Sequence, residues 1–196
     1  MLWQNAVFHS EDQLRQRVAW ALSQIYVVSE AGFGGSEETH AQYYDIFLRN
    51  AFGSFRNLIQ EIAYSYPMSV MLTYINSKSA AVSGDFADEN FARECIQLFT
   101  VGTEHLNSDG TQVLDDDGNP IATYGVKDVA SFARAWTGFV SPGGLRTNKI
   151  GGADVLQIVA RDRDASPKMD LYDGFIGMCA TVFVHLHFLC QFMKKS

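Results

Sequence analysis

The chain has few residues from which a covalent or metal-bound framework could be built. Its cysteines, Cys95, Cys179 and Cys190, are odd in number and show no local pairing pattern. The sequence therefore predicts neither a disulfide framework nor a zinc site. Residues 31–36 are rich in glycine, but neither Lys-Ser nor Lys-Thr follows them. They are predicted to be a plain flexible connection and not a phosphate-binding loop. We expect no cofactor and no bound metal.

Basic residues are also scarce. Lysine and arginine number 15 against 22 aspartates and glutamates, which gives a formal net charge of −7. Contacts to a nucleic-acid backbone need a positive surface, so this balance excludes a general nucleic-acid binder. The sequence identifies no other partner. Residues 1–5 lack the basic start and apolar core of a secretory signal, so either the protein is not exported or its true N-terminus lies upstream.

Hydrophobic residues make up 47% of the 196 residues, which is enough for one compact domain with a core. Apolar residues recur at helical spacing. The predicted helices span residues 10–29, 39–51, 55–64, 67–75, 88–102 and 126–138. The first of these helices has an apolar stripe at helical spacing, made of Leu14, Val18, Ala21, Leu22, Ile25 and Val28. Two Asp-Gly turn signals favour a hairpin or structured loop. The fold class is therefore mainly α, a single helical domain of about five main helices with a small β-hairpin insertion near 106–124.

The predicted helix 88–102 has clear signals at both ends. Asp88 can accept hydrogen bonds from free amide groups in the first turn. Gly102 stands where a left-handed residue commonly ends a helix. One face is apolar and includes Cys95, which is predicted to be buried and unreactive. The other side of this helix carries Arg93, Glu94 and Gln97.

Arg93, Glu94 and His105 are the candidate catalytic residues. A glutamate beside an arginine and a histidine can act as a general base or metal ligand, and Arg15 or Arg17 would lie nearby. The alternative is that Arg93 and Glu94 belong to an ion pair that ties helices together. The sequence leaves the question of enzyme activity open.

Two charged runs resemble sites but fit simpler roles. Residues 115–119 resemble the start of an EF-hand loop. However, the twelfth position counted from Asp115 is Val126, where calcium binding needs a glutamate. We therefore predict a turn. Residues 161–164 alternate arginine and aspartate and are predicted to be a solvated charge run.

Three segments in order, residues 14–24, 89–102 and 124–139, carry a resemblance to a known family. Over about residues 14–177 the chain resembles the domain-of-unknown-function 1800 family, a large and mainly bacterial group. The resemblance implies a mostly helical domain, and members often carry export signals. It implies no established activity, so no catalytic residue can be carried over.

Two positions depart from the family pattern. Many members have a glutamate where this chain has Gln97, which weakens any site that needs paired carboxylates around Glu94. The family usually shows Tyr-Thr where Gly125 follows Tyr124 here. Glycine still serves as a helix N-cap at a cost of only a few tenths of a kcal/mol, so this change is expected to be structural and mild.

The C-terminal residues differ in composition from the rest of the chain. Residues 178–193 contain no aspartate, glutamate, lysine or arginine. We expect residues 1–177 to form the helical family domain, incomplete at its C-terminus. The apolar tail, 178–196, would arise from a frame shift or intron read-through in the gene model. The alternative is a membrane anchor, since the tail is near the minimum length for a spanning helix.

Function is not established by these observations. The sequence most favours an exported helical binding or scaffold domain. One alternative is a hydrolase-like or metal-dependent enzyme that uses Glu94, Arg93 and His105. A second alternative is a tail-anchored membrane protein, which requires that the 178–193 tail be genuine.

Overall fold

The computed structural model describes residues 2–29, 37–141, 155–172 and 174. The predicted loop 31–36 and the predicted tail 178–196 lie outside these residues. The described part is mainly α-helical with a small β component, which confirms the predicted fold class. Its α-helices are α1 (Leu2–His9), α2 (Gln13–Ile25), α3 (Glu37–Asn50), α4 (Phe55–Ala63), α5 (Tyr66–Met71), α6 (Ala80–Ser83), α7 (Asn90–Glu94) and α8 (Val126–Arg134). None of these helices is long and apolar enough to cross a membrane.

The described residues divide into two compact units, one within residues 2–71 together with 141 and 155–157, and the other within residues 72–140 together with 158–172 and 174. In the first unit, α3 supplies the aromatic centre. The buried ring of Phe47 lies 5.1 Å from the Tyr43 ring in an edge-on contact, and 6.3 Å from the rings of Tyr26 and Tyr44. The Tyr43 hydroxyl donates to the Tyr26 carbonyl at 2.8 Å. This bond fastens the end of α2 to α3.

The apolar stripe of α2 is not its most buried face. Leu14 is 69% exposed and Ile25 is also exposed, whereas Gln16 and Ala19 are buried. The side chain of Ala19 is small enough to let another helix approach closely, and the Tyr44 hydroxyl of α3 donates to the Gln16 carbonyl at 3.4 Å. Helical spacing shows that a helix is amphipathic, but the neighbouring helix decides which stripe is covered.

The core of the second unit surrounds Trp136. Its ring centroid lies 4.6 Å from that of Phe91, 5.6 Å from that of Tyr74 and 5.5 Å from that of Phe139. Phe91 belongs to α7, and Trp136 follows α8. Phe139 lies in strand β1 (Phe139–Val140), which pairs with β2 (Gln157–Ile158). Aromatic burial of this kind is the main source of stability in a unit with so little sheet.

The predicted helix 88–102 is not one continuous α-helix. It is α-helical over Asn90–Glu94 and becomes a π-helical turn over Cys95–Thr100. The Thr100 hydroxyl donates to the Cys95 carbonyl, five residues earlier, at 2.6 Å, and this bond supports the wider turn. Gly102 ends the segment with φ of +78°, as predicted. Cys95 is buried as predicted, and burial raises the pKa of its thiol, which disfavours the reactive thiolate.

Residues 103–123 form a closed ring of three short extended segments, which we call the β-triangle. The amide of His105 donates to the Ile121 carbonyl at 2.9 Å, that of Ile121 to the Val113 carbonyl at 3.0 Å, and that of Val113 to the His105 carbonyl at 2.9 Å. Antiparallel bridges join the corners at Glu104↔Ala122, Leu106↔Gln112 and Leu114↔Pro120. The predicted β insertion is therefore present.

Two consecutive octapeptides, 106–113 and 114–121, build this ring. Both follow the pattern Leu, Asn or Asp, any residue, Asp, Gly, Thr or Asn. In each, the amide of the second residue donates to the carbonyl of the sixth at 2.8 Å. The glycines, Gly110 and Gly118, have φ of +84° and +83°, a region that glycine adopts without a steric penalty. The predicted turn at 115–119 is confirmed, and an internal repeat that the sequence analysis did not recognise accounts for it.

The prediction that residues 161–164 are a solvated charge run is wrong. Asp162 is buried. The Arg163 guanidinium donates to the carbonyl of Ala135 at 3.1 Å and to that of Thr137 at 3.2 Å. These carbonyls follow α8, where a helix leaves acceptors without partners. Arg163 therefore pairs with the carbonyls that follow α8, and of these four residues Arg161 is the one that faces solvent, with its side chain 83% exposed.

Candidate functional site

Two of the predicted site residues, Arg93 and Glu94, lie at the end of α7. Arg93 Nη2 donates to Glu89 Oε2 at 2.8 Å, and both side chains are partly exposed. The partner of Arg93 is therefore a residue one turn earlier and not Glu94. Glu94 is half-buried, and it forms no hydrogen bond or ion pair with another described residue.

The third predicted residue, His105, is exposed on the β-triangle, where its backbone completes the ring. Arg15 Nη1 donates to the Leu48 carbonyl at 2.8 Å. Arg17 lies over the ring of Phe8, 5.9 Å from its centroid. Among the described residues, no group of three or more His, Cys, Asp or Glu could hold a metal ion. A catalytic site made of Arg93, Glu94 and His105 stays a prediction.

Gln97 links two of the segments that carry the family resemblance. The Tyr124 hydroxyl donates to Gln97 Oε1 at 3.3 Å, which joins the π-helical turn to the residue before the N-cap of α8. Gly125 caps α8 as predicted, and its amide donates to Asp128 Oδ2 at 2.7 Å. A glutamate in place of Gln97 could accept the same bond from Tyr124. The bond therefore gives this position a structural role that does not depend on a second carboxylate.

Replacing Glu94 with alanine separates a structural role from a chemical one. Because the Glu94 side chain has no hydrogen-bond or ion-pair partner among the described residues, we expect the free energy of unfolding in urea to change by no more than about 0.5 kcal/mol. Arg93→Ala is the matched variant, and loss of its exposed ion pair should cost about 0.5 kcal/mol. A loss above about 2 kcal/mol for Glu94→Ala would contradict this assignment, since it requires a buried interaction. An unchanged fold with loss of a bound ligand would support the site hypothesis.

The first unit contains a pocket that the sequence analysis missed. It has a volume of about 460 Å³, which lies within the range of small-molecule sites. The lining residues are Trp20, Ser23, Gln24, Tyr26, Val27, Val28, His40, Tyr43, Tyr44 and Phe47. Phe47, Tyr43 and Tyr44 are buried at its inner side, and Trp20 is 47% exposed.

Helical spacing puts the lining residues of α2 on one face of that helix and those of α3 on one face of the other. His40, Tyr43, Tyr44 and Phe47 are three and four residues apart, so they share one face of α3. Trp20, Ser23 and Gln24 share one face of α2 in the same way. The two faces lie together because hydroxyl groups on α3 bond to carbonyls in and after α2. Aromatic residues at helical spacing predict a core face, and only the packing of α2 on α3 reveals a pocket.

The pocket is apolar with a few polar groups, and its lining residues in the described part of the chain include no lysine, arginine, aspartate or glutamate. Burial raises the pKa of the Tyr43 hydroxyl, which therefore stays neutral. The Ser23 hydroxyl donates to the Trp20 carbonyl at 2.7 Å and keeps its lone pairs for a ligand. A charged ligand would find no opposite charge among these lining residues, and burying an unpaired charge is costly. The chemistry favours an uncharged ligand.

The family model described as "Protein of unknown function (DUF1800)" matches residues 1–169. No curated protein matches the chain, and no solved structure does.

Proposed function

The chain belongs to the DUF1800 family, a family of proteins of unknown function, and we propose that this member is a binding domain for small uncharged ligands with a planar or apolar face. The pocket between α2 and α3 is the observation that carries this proposal. It combines an aromatic inner wall with three polar groups, Ser23, Gln24 and His40. Such sites use apolar contact for affinity and a few polar groups for orientation.

Trp20 is the residue best placed to hold a ligand ring. It lines the pocket, and about half of its side chain is open to solvent. Stacking on an exposed indole is available to any planar or ring-shaped ligand, and aromatic pairs contribute about 0.5–1.5 kcal/mol beyond area burial. The rings of Tyr43 and Phe47 are buried and pack against each other, so they form the wall of the pocket.

The proposal is tested by titrating the protein with Nile red, a planar and uncharged fluorescent dye. Trp20→Ala is expected to weaken dye binding about tenfold, the equivalent of about 1.4 kcal/mol. Because Trp20 is partly exposed, the variant should keep the circular dichroism spectrum of the parent. Phe86→Ala is the matched control, since Phe86 is 96% exposed and lines no part of the pocket.

Equal binding by the parent and Trp20→Ala would overturn the proposal. The same loss with Phe86→Ala would also overturn it, because the dye would then be binding to exposed rings in general. An export destination, proposed from the family resemblance, accords with a binding or scaffold role outside the cytoplasm. The tail-anchor hypothesis concerns residues outside the described ranges and stays a prediction.

A further inference from the structure

The side chains of the β-triangle lie on two opposite faces, and the alternation of the backbone decides which residues share a face. Successive side chains of an extended segment point to opposite faces, and residues joined by a bridge share a face. Six side chains therefore share the outer face: Glu104, Leu106, Gln112, Leu114, Pro120 and Ala122. The side-chain amide of Gln112 donates to the carboxylate of Glu104, which agrees with this assignment.

Two leucines on the outer face are open to solvent. Leu106 is 60% exposed and Leu114 is 52% exposed. Leu106 is bridged to Gln112, so Leu114 is its diagonal neighbour, at about 7–8 Å. Both leucines occupy the first position of the octapeptide repeat, so they are structurally equivalent. Adjacent exposed leucines on a rigid surface are typical of an interaction site.

The negative charge of the β-triangle favours a positively charged partner. Residues 103–123 contain five acidic residues and no lysine or arginine. Asp109 and Asp115 each accept backbone amides within their turns, and hydrogen bonds to Thr111 and Asn119 lower the pKa values of the two carboxyls. They are therefore ionised at neutral pH. Asp116 and Asp117 are exposed neighbours in the second of these turns.

We propose that the outer face of the β-triangle docks a cationic amphipathic segment of a partner protein. Apolar side chains of the segment contact Leu106 and Leu114, and its lysines or arginines meet the acidic turns. A second copy of this chain fits poorly because its net charge is −7, and an anionic lipid surface is repelled for the same reason. The proposal does not depend on the pocket between α2 and α3.

The probe is a synthetic helical peptide of leucine and lysine, about 14 residues long, labelled with fluorescein and followed by anisotropy. Binding is expected to weaken about tenfold in the double variant Leu106→Ala/Leu114→Ala, as two buried leucine contacts are lost. Leu98→Ala is the matched control, because Leu98 is an exposed leucine of the same unit outside residues 103–123. The Asp116→Asn/Asp117→Asn variant should show weaker binding and a shallower dependence on salt.

Five outcomes would overturn the proposal. The peptide does not bind, or a peptide of leucine and glutamate binds equally well. Leu98→Ala weakens binding as much as the double variant does. Vesicles containing phosphatidylserine bind through the leucines in preference to the peptide. The parent self-associates on a sizing column and the double variant does not, which assigns the face to a second copy.

Discussion

Replacing Gly138 with alanine is expected to lower the free energy of unfolding by about 3 kcal/mol. Gly138 has φ of +78°, and a left-handed conformation costs an alanine about 1–2 kcal/mol. A β-carbon at this position would also lie 2.5 Å from Arg163 Cγ and 2.9 Å from the Val159 carbonyl oxygen. Val159 is held on both sides, because its amide donates to the Gly138 carbonyl at 2.8 Å and its carbonyl accepts from the Asp162 amide at 3.0 Å. Chemical denaturation followed by tryptophan fluorescence measures the loss.

Gly84 provides the matched control. It has φ of +80°, and a β-carbon there would meet nothing within 4 Å. Gly84→Ala should therefore cost only the backbone term, about 1 kcal/mol. The difference between the two variants isolates the contact with Val159 and Arg163. Equal losses would show that this contact relaxes and that only the backbone conformation matters.

Replacing Asp164 with alanine is expected to cost about 3 kcal/mol, because it leaves a buried cation without its carboxylate. The Lys168 side chain is only 3% exposed. Its ammonium group donates to the carbonyls of Asp164 and Ser166, both at 2.8 Å, and lies 3.4 Å from Asp164 Oδ1. Burial lowers the pKa of Lys168 from its ordinary value of 10.5, and the Asp164 charge opposes that shift.

Lys168→Met is the control for this prediction, since it removes the charge and keeps an unbranched apolar stem. Its unfolding free energy should stay within about 1 kcal/mol of the parent, as replacing a buried ion by an apolar side chain is often neutral. The Asp164→Ala variant should regain stability as pH rises towards 10.5. The unfolded state then binds the proton that the buried lysine has lost, and stability rises with pH wherever the unfolded state binds more protons. A variant with no pH dependence in this range would contradict a buried, destabilised cation.

Features that depend on near neighbours in the sequence were predictable. Gly125 and Asp128 form their cap within three residues, and Gly102 ends its helix through its own backbone. The turn at 115–119 is equally local. Contacts between distant residues were not predictable in the same way. Arg163 appears solvated in the sequence because the carbonyls that it binds lie 26 and 28 residues earlier.

The candidate site shows the same difference between local features, which were predictable, and long-range contacts, which were not. The sequence places Arg93 and Glu94 correctly on a polar side of a helix. It cannot choose between Glu89 and Glu94 as the partner of Arg93, because one turn of helix brings Glu89 within reach. The π-helical turn escaped prediction since its apolar spacing also fits an α-helix. The pocket depends on how α2 lies against α3, and helical spacing alone does not contain that information.

The β-triangle also has a consequence for the order of folding. Its turns close loops of only a few residues, events that take about 10–100 ns in short chains. The finished ring holds Thr103 beside Thr123, whose amide donates to the Thr103 carbonyl at 3.1 Å. We therefore expect the ring to bring the end of the π-helical turn and the start of α8 together before α7 and α8 pack. The connection between these helices is long, but it closes in several steps. Each step closes a short loop and therefore has a small entropic cost.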